Sequence, residues 1–219
     1  MAPYRDRQEA GIRLAELLRH YANHKDAIVL ALPRGGVPVA FEIARTLHLP
    51  LDVFIVRKLG VPGHSELAMG ALAAGDIIFY NEDIVQSLHI PDAMIERVIA
   101  EERQELERRE TVYRGGRPFP DLTAKIVILV DDGIATGATM RAAVAALRAL
   151  NVKRLVVAVP VAQFELTQTL IPIVDELVCP LKPVEFYAVG NWYVNFSQTE
   201  DDEVHTLLQA AQDMQLNPP

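Results

Sequence analysis

Residues Lys125 to Met140 read K-I-V-I-L-V-D-D-G-I-A-T-G-A-T-M and concentrate the residue types best suited to chemistry. Two adjacent carboxylates, Asp131 and Asp132, are followed by Gly133, Ala135, Thr136, Gly137, Ala138 and Thr139. Adjacent carboxylates can accept hydrogen bonds from two vicinal hydroxyls, as on a ribose, or hold a divalent cation through its waters. Small and hydroxylated residues ahead of a helix leave its first N–H groups, and the positive end of its dipole, open to a phosphate. Gly137 lets the backbone approach, and Thr136 and Thr139 add hydroxyl donors. The two halves suit a ribose phosphate. The plainer alternative is a helix cap beside a chance acid.

The elements that must position these residues are readable on either side. Ile126 to Val130 are all apolar and mostly β-branched, as in a strand buried on both faces of a parallel sheet. Met140 to Leu150 is Ala- and Leu-rich with helical spacing, so the unit is strand, loop, helix. A second such unit precedes it: a short apolar strand, Ala27 to Leu32, then P-R-G-G, then a helix with Val37 and Pro38 in its first turn. Taken alone, Gly35 and Gly36 read as an ordinary tight turn. In a doubly wound sheet both loops lie at the carboxyl ends of parallel strands, where ligands bind at the switch point.

The run V-I-L-V-D-D-G-I-A-T-G-A-T, Val127 to Thr139, resembles the 5-phosphoribosyl 1-pyrophosphate (PRPP) signature of the type I phosphoribosyltransferases. The competing assignment, the second acidic motif of a P-loop phosphotransferase, requires G-x-x-x-x-G-K-[ST], which the chain lacks. L-P-R-G-G-V-P-V-A, Leu32 to Ala40, resembles the pyrophosphate loop of the same family. The resemblance implies that Arg34, Gly35 and Gly36 meet the diphosphate. From Arg5 to Phe196 the chain is similar to a group of bacterial proteins predicted to be phosphoribosyltransferases.

Composition bounds the alternatives. The chain has 219 residues, half of them hydrophobic and 23% charged, enough for one large domain with a sizeable core. A net charge of −8 disfavours sequence-independent binding to nucleic acid or to anionic membranes. Cys179 is the only cysteine, so no intrachain disulfide forms, and a small core residue in a reducing cytosol is the expectation. No apolar run approaches a membrane span, and Met1 to Glu9 lacks a signal-peptide core, so a cytoplasmic location is expected.

The remaining chain supplies the frame. Asp6 to Tyr21 has Ala10, Leu14, Leu17, Leu18 and Tyr21 at helical spacing. Leu51 to Val56 reads as a strand ending at Arg57 and Lys58, and the glycines and polar tip of the next stretch, through Gly70, predict a mobile loop. His64 and Glu66 alone would be a solvated tip; the family resemblance implies a flexible lid there, which closes over substrate and brings Arg57, Lys58 and Glu66 to it. Ala71 to Tyr80 predicts a small hairpin. Residues 81–118 carry two helices, read as a helical insertion that contributes to a homodimer contact. Arg154 to Val159 and Leu177 to Leu181 are further strands, separated by a helix from Gln163 to about Ile171. Residues 182–219 form a hood-like tail with Phe186, Tyr187, Trp192, Tyr193 and Phe196, aromatics that would either stack on a base or pack the edge of the core. Asp201 to Met214 is a closing helix.

The expectation is therefore an α/β protein, residues 1–219 as a single domain, with a parallel doubly wound sheet of the type I phosphoribosyltransferase kind, a flexible lid loop and a helical insertion. The resemblance implies Mg²⁺-dependent displacement of pyrophosphate from PRPP by a nitrogen nucleophile, a nucleobase by analogy. Arg34 and Lys58 would stabilise the leaving diphosphate, and Asp131 and Asp132 the ribose and the metal. V-D-D-G-I-A-T-G-A-T-M is closer to the adenine enzymes than to the oxopurine enzymes, which carry an acid where this chain has Ala135. F-Y-A-V-G, Phe186 to Gly190, resembles the base-binding segment of the hypoxanthine-guanine members, but Tyr193, Val194 and Asn195 stand where those carry an acid. The acceptor is therefore unassigned. The other reading is a PRPP- or nucleotide-binding regulator that kept the fold without turnover. Asp132→Asn and Thr139→Ala are expected to weaken PRPP binding while leaving the melting temperature unchanged.

Overall fold

A computed structural model describes residues 3–75 and 77–216, without the side chains of Ser65 and Glu66. In chain order the elements are α1 (Arg7–Leu17), β1 (Ala27–Ala31), α2 (Gly36–Leu47), β2 (Leu51–Val53), β3 (Val56–Val61), β4 (His64–Ala73), β5 (Ile77–Tyr80), α3 (Glu82–Ser87) and α4 (Asp92–Arg114). They continue as β6 (Ile126–Val130), α5 (Ala138–Ala149), β7 (Arg154–Ala158), α6 (Phe164–Leu170), β8 (Glu176–Val178) and α7 (Asp201–Leu216).

Five strands form a parallel sheet in the order β2-β1-β6-β7-β8. The apolar runs of β1 and β6 are buried at every position because helices cover both faces. Alternation divides them: Ile126, Ile128 and Val130 pack on the side of α1, α2 and α7, and Val127 and Leu129 on the side of α5 and α6. From β1 the chain goes outward to β2, and later returns to place β6 on the other side of β1. This is the switch point of a doubly wound sheet, and the loops after β1 and β6 leave its carboxyl edge side by side. The Leu32 N–H donates to the Val130 carbonyl over 2.8 Å, which ties the roots of the two loops together.

The strand expected over Leu51 to Val56 is split. Val53 ends the parallel sheet, buried Phe54 and Ile55 turn the chain, and Val56 opens a separate antiparallel sheet, β3-β4-β5. The stretch expected to be a loop is thus a β-hairpin turning at Pro62 and Gly63. Leu59, Val61, Met69 and Leu72 bury one face of it in a cluster with Ile95, Ile99 and Leu106 of α4, while Val56 and Ala73 face the α5 side. Gly70 suits a strand here because β5 runs so close: a Cβ on it would stand 2.3 Å from the Phe79 carbonyl oxygen. The 71–80 hairpin is present as β4 and β5, with Asp76 outside the described residues. Arg114, buried at the end of α4, donates to Asp52 Oδ1 (3.1 Å) and the Val53 carbonyl (2.6 Å), fastening α4 to β2. Among the described residues no helix is long and apolar enough to cross a membrane.

Candidate active site at the switch point

The loop after β6 ends in Gly137, the residue before α5, whose φ of +76° is the left-handed conformation that glycine adopts without strain. A Cβ there would also stand 2.7 Å from Leu166 Cδ1. Gly137 has no side chain to cap α5; Thr136 Oγ1 reaches the Ala138 N–H at 3.5 Å, a long contact that leaves the first turn weakly capped. Ala135, Thr136, Ala138 and Thr139 are exposed around it. Across a cavity of about 380 Å³ stand Val56 and Lys58 of β3, opposite Thr136, Ala138, Thr139 and Arg141.

Alternation along β3 separates two residues expected at the ligand. Lys58 faces this cavity, whereas Arg57 points to the opposite face and donates from Nε to Glu102 of α4 over 2.6 Å. Lys58 therefore lines the phosphate loop's own cavity, and Arg57 is turned away from it. The side chain of Glu66 lies outside the described residues.

The two carboxylates occupy different environments. Asp131 Oδ1 accepts the Asp132 N–H at 2.8 Å. Burial, and then the charge of Asp132, push the Asp131 carboxyl well above the usual range. Burial also raises Asp132, against the opposing pull of Arg7. Arg7 of α1 donates from Nε to Asp132 Oδ2 over 2.8 Å, with the side chains 12% and 15% exposed. Tyr193 O–H donates to the Asp132 carbonyl over 2.5 Å. Among the described residues no group of three or more His, Cys, Asp or Glu side chains is placed to cage a metal ion. A carboxylate pair fits instead a hard cation that arrives on phosphate oxygens and keeps several waters.

The P-R-G-G turn closes on these acids. A Cβ on Gly35 would stand 2.0 Å from Asp132 Oδ2, and one on Gly36 2.7 Å from the Val130 carbonyl oxygen. Gly133 is equally constrained, since its Cβ would stand 2.5 Å from Val189. The Pro33–Arg34 peptide is cis. Arg34 Nη1 lies 3.6 Å from both Glu200 and Asp201, at the start of α7.

Gly35, Gly36, Asp131, Asp132 and Gly133 thus meet at the switch point, with Lys58, Thr136, Ala138 and Thr139 around the adjoining cavity. Arg34 reaches from the same turn toward α7. Two neighbours of these residues, Arg7 and Arg141, are not singled out in the sequence, and Tyr193 is singled out there only as a tail aromatic. Arg141 had a local signal, a cation one helical turn beyond Gly137. Arg7 had none, being 125 residues from its partner. The tail aromatics pack the edge of the core: Tyr193 lies against Tyr4 (5.6 Å between centroids) and Phe196 (5.0 Å), while Tyr187 is 86% exposed.

A parallel sheet with a glycine turn and an acidic, threonine-rich loop meeting at its switch point defines a doubly wound α/β protein. The model of the phosphoribosyl transferase domain matches residues 5–178, and the chain belongs to that family. A curated Mycobacterium tuberculosis protein, whose name in two strains proposes a phosphoribosyl transferase, is 44% identical over 211 residues, 96% of this chain and 47% of its own length. The chain therefore spans about half the length of the curated relatives it matches. The crystal structure of a Thermus thermophilus protein superposes with a TM-score of 0.86 at 40% identity, covering 96% of this chain and 99% of that one.

Proposed function

We propose that the chain transfers the 5-phosphoribosyl group of PRPP to a nitrogen nucleophile, with a nucleobase as the acceptor class that family membership favours. The bond from the anomeric carbon to the diphosphate oxygen breaks, and pyrophosphate leaves with the electron pair. A bond to the acceptor nitrogen forms, and that nitrogen releases its proton. The observation that carries this reading is the closure of the Gly35–Gly36 turn on Asp132, beside the threonine loop.

Each group then has a role. The N–H groups of α5, with Thr136 and Thr139, bind the 5-phosphate, and Lys58 and Arg141 balance its charge across the cavity. Asp131 and Asp132 accept from the ribose hydroxyls and lie near the positive charge that develops on the ring. The backbone of Gly35 and Gly36, together with Arg34, receives the diphosphate, Arg34 exchanging Glu200 and Asp201 for phosphate oxygens. When bound, Mg²⁺ would be held by Asp131 and Asp132 and would neutralise charge on the departing diphosphate. The β3–β4 hairpin serves as the cover over the phosphate loop, and residues 182–216 as a hood.

Two assays on one sample test this. Pyrophosphate release from PRPP and Mg²⁺ is followed with a panel of purines, pyrimidines and small amines, and PRPP binding is measured by calorimetry. Release with one acceptor class supports transfer and names the acceptor. Binding without release throughout the panel favours the regulatory reading, and no PRPP binding removes both transfer and PRPP-dependent regulation.

A further inference from the structure

The carboxylate assigned above to the ribose is gripped by a residue from the start of the first helix. Arg7 donates from Nε to Asp132 Oδ2 over 2.8 Å and from Nη1 to the Ser197 carbonyl over 2.6 Å. Its guanidinium carbon lies 4.0 Å from the centroid of the Phe196 ring. Two donor positions and one face of a rigid planar group are engaged at once, a combination that a lysine ammonium cannot reproduce. The same oxygen of Asp132 is where a Cβ on Gly35 would intrude at 2.0 Å, so Oδ2 is walled between Arg7 and the diglycine turn. Tyr193, itself stacked on Phe196, holds the Asp132 backbone. The carboxylate oxygen not engaged by Arg7 is Oδ1.

We propose that Arg7 is a positioning residue for the ribose site: it sets Asp132 so that Oδ1 meets the ribose hydroxyls, and couples that orientation to the seating of residues 193–197 over the site. The inference rests on the PRPP reading. A tie that merely fastened α1 to the tail would change stability alone, whereas a positioning residue acts on ligand affinity through Asp132, and the two side chains then couple.

The test is PRPP binding with Mg²⁺ by calorimetry on the full chain, reporting both affinity and the fraction of competent sites. It uses wild type, Arg7→Ala, Arg7→Lys, Asp132→Ala and the corresponding double variants. Arg7→Ala is expected to weaken PRPP about ten-fold or more, the scale of one charge-assisted hydrogen bond, with the competent fraction unchanged. Arg7→Lys recovers only part of that loss. In the Asp132→Ala background, where Arg7 has no side-chain acceptor at position 132, removing Arg7 changes affinity by less than about three-fold. Wild-type affinity in Arg7→Ala, or an equal loss in both backgrounds, overturns the inference. Should Arg7→Ala fail to fold, Arg7→Lys decides on the same two comparisons. A wild type that does not bind PRPP overturns the phosphoribosyl reading itself, an outcome distinct from wild-type binding that Arg7 substitutions leave intact.

Discussion

Gly35 and Asp132 touch across the switch point: a methyl group on Gly35 would stand 2.0 Å from Oδ2 and 2.7 Å from Cγ of the carboxylate. The backbone of Gly35, at φ −60° and ψ −29°, is one that any residue adopts, so the contact and not the conformation requires glycine. Nor can the carboxylate swing away freely, because Oδ2 is held by Arg7. Gly35→Ala is therefore expected to cost about 1–3 kcal/mol of stability in urea unfolding, as overpacking does, and to weaken PRPP about ten-fold or more in calorimetry.

Thr139 and Asp132 separate binding from stability. Thr139 is exposed, so Thr139→Ala removes a donor to the ligand and leaves the melting temperature near that of wild type. Asp132 differs from the expectation drawn from the motif alone. Replacing it with Ala takes the anionic partner from the mostly buried Arg7 guanidinium, leaving it the Ser197 carbonyl and the Phe196 ring, and costs about 1–3 kcal/mol, read as a lowered urea midpoint. Asp132→Asn falls between, since its amide oxygen still accepts from Arg7.

Arg57 and Arg141 exchange the importance their positions in sequence suggest. Arg141→Ala is expected to weaken PRPP about ten-fold, because Arg141 lines the cavity of the phosphate loop and its guanidinium donates to the Thr136 carbonyl over 3.3 Å. Arg57→Ala is expected to leave PRPP affinity within about two-fold of wild type and to lose only the Glu102 pair, worth about 1 kcal/mol at most. Calorimetry on both variants reads the contrast directly.

Alkaline pH should unfold the chain through its tyrosines. Tyr4, Tyr21 and Tyr113 are each pushed from 10.0 to about 12, first by burial, with Glu176 adding to the shift at Tyr21 and Asp201 at Tyr113. A folded value raised above the unfolded one means that the unfolded chain ionises first. Their contribution is whole below about pH 10 and lost as pH rises through about 12. Urea midpoints should be flat below that window and fall steeply within it, with the fall diminished in Tyr21→Phe.

How much of this was readable in advance follows from how local each cause is. The β6 strand and its loop declare themselves because a buried parallel strand must be apolar throughout, and because a phosphate site needs glycine and hydroxyl residues in sequence. The Gly35–Gly36 turn was visible for the same reason, although its contact with Asp132 arises only when β1 and β6 pair. Residues 59–70 misled: Gly60 and Gly70 resemble loop residues, yet Gly70 is set by the closeness of β5, and Leu59, Val61, Met69 and Leu72 needed α4 to give their burial meaning. The same pairing decides which of Arg57 and Lys58 faces the cavity. Arg7 sits among ordinary charged residues of an amphipathic helix, and only the tertiary structure brings it to Asp132.

The most direct measurement is pyrophosphate release from PRPP and Mg²⁺ across the acceptor panel, with wild type and Thr139→Ala side by side and PRPP binding recorded on the same samples. Transfer at the switch point predicts release by wild type that depends on one acceptor class, and lower PRPP affinity in Thr139→Ala at an unchanged melting temperature. Wild type that neither binds PRPP nor releases pyrophosphate with any acceptor would contradict it.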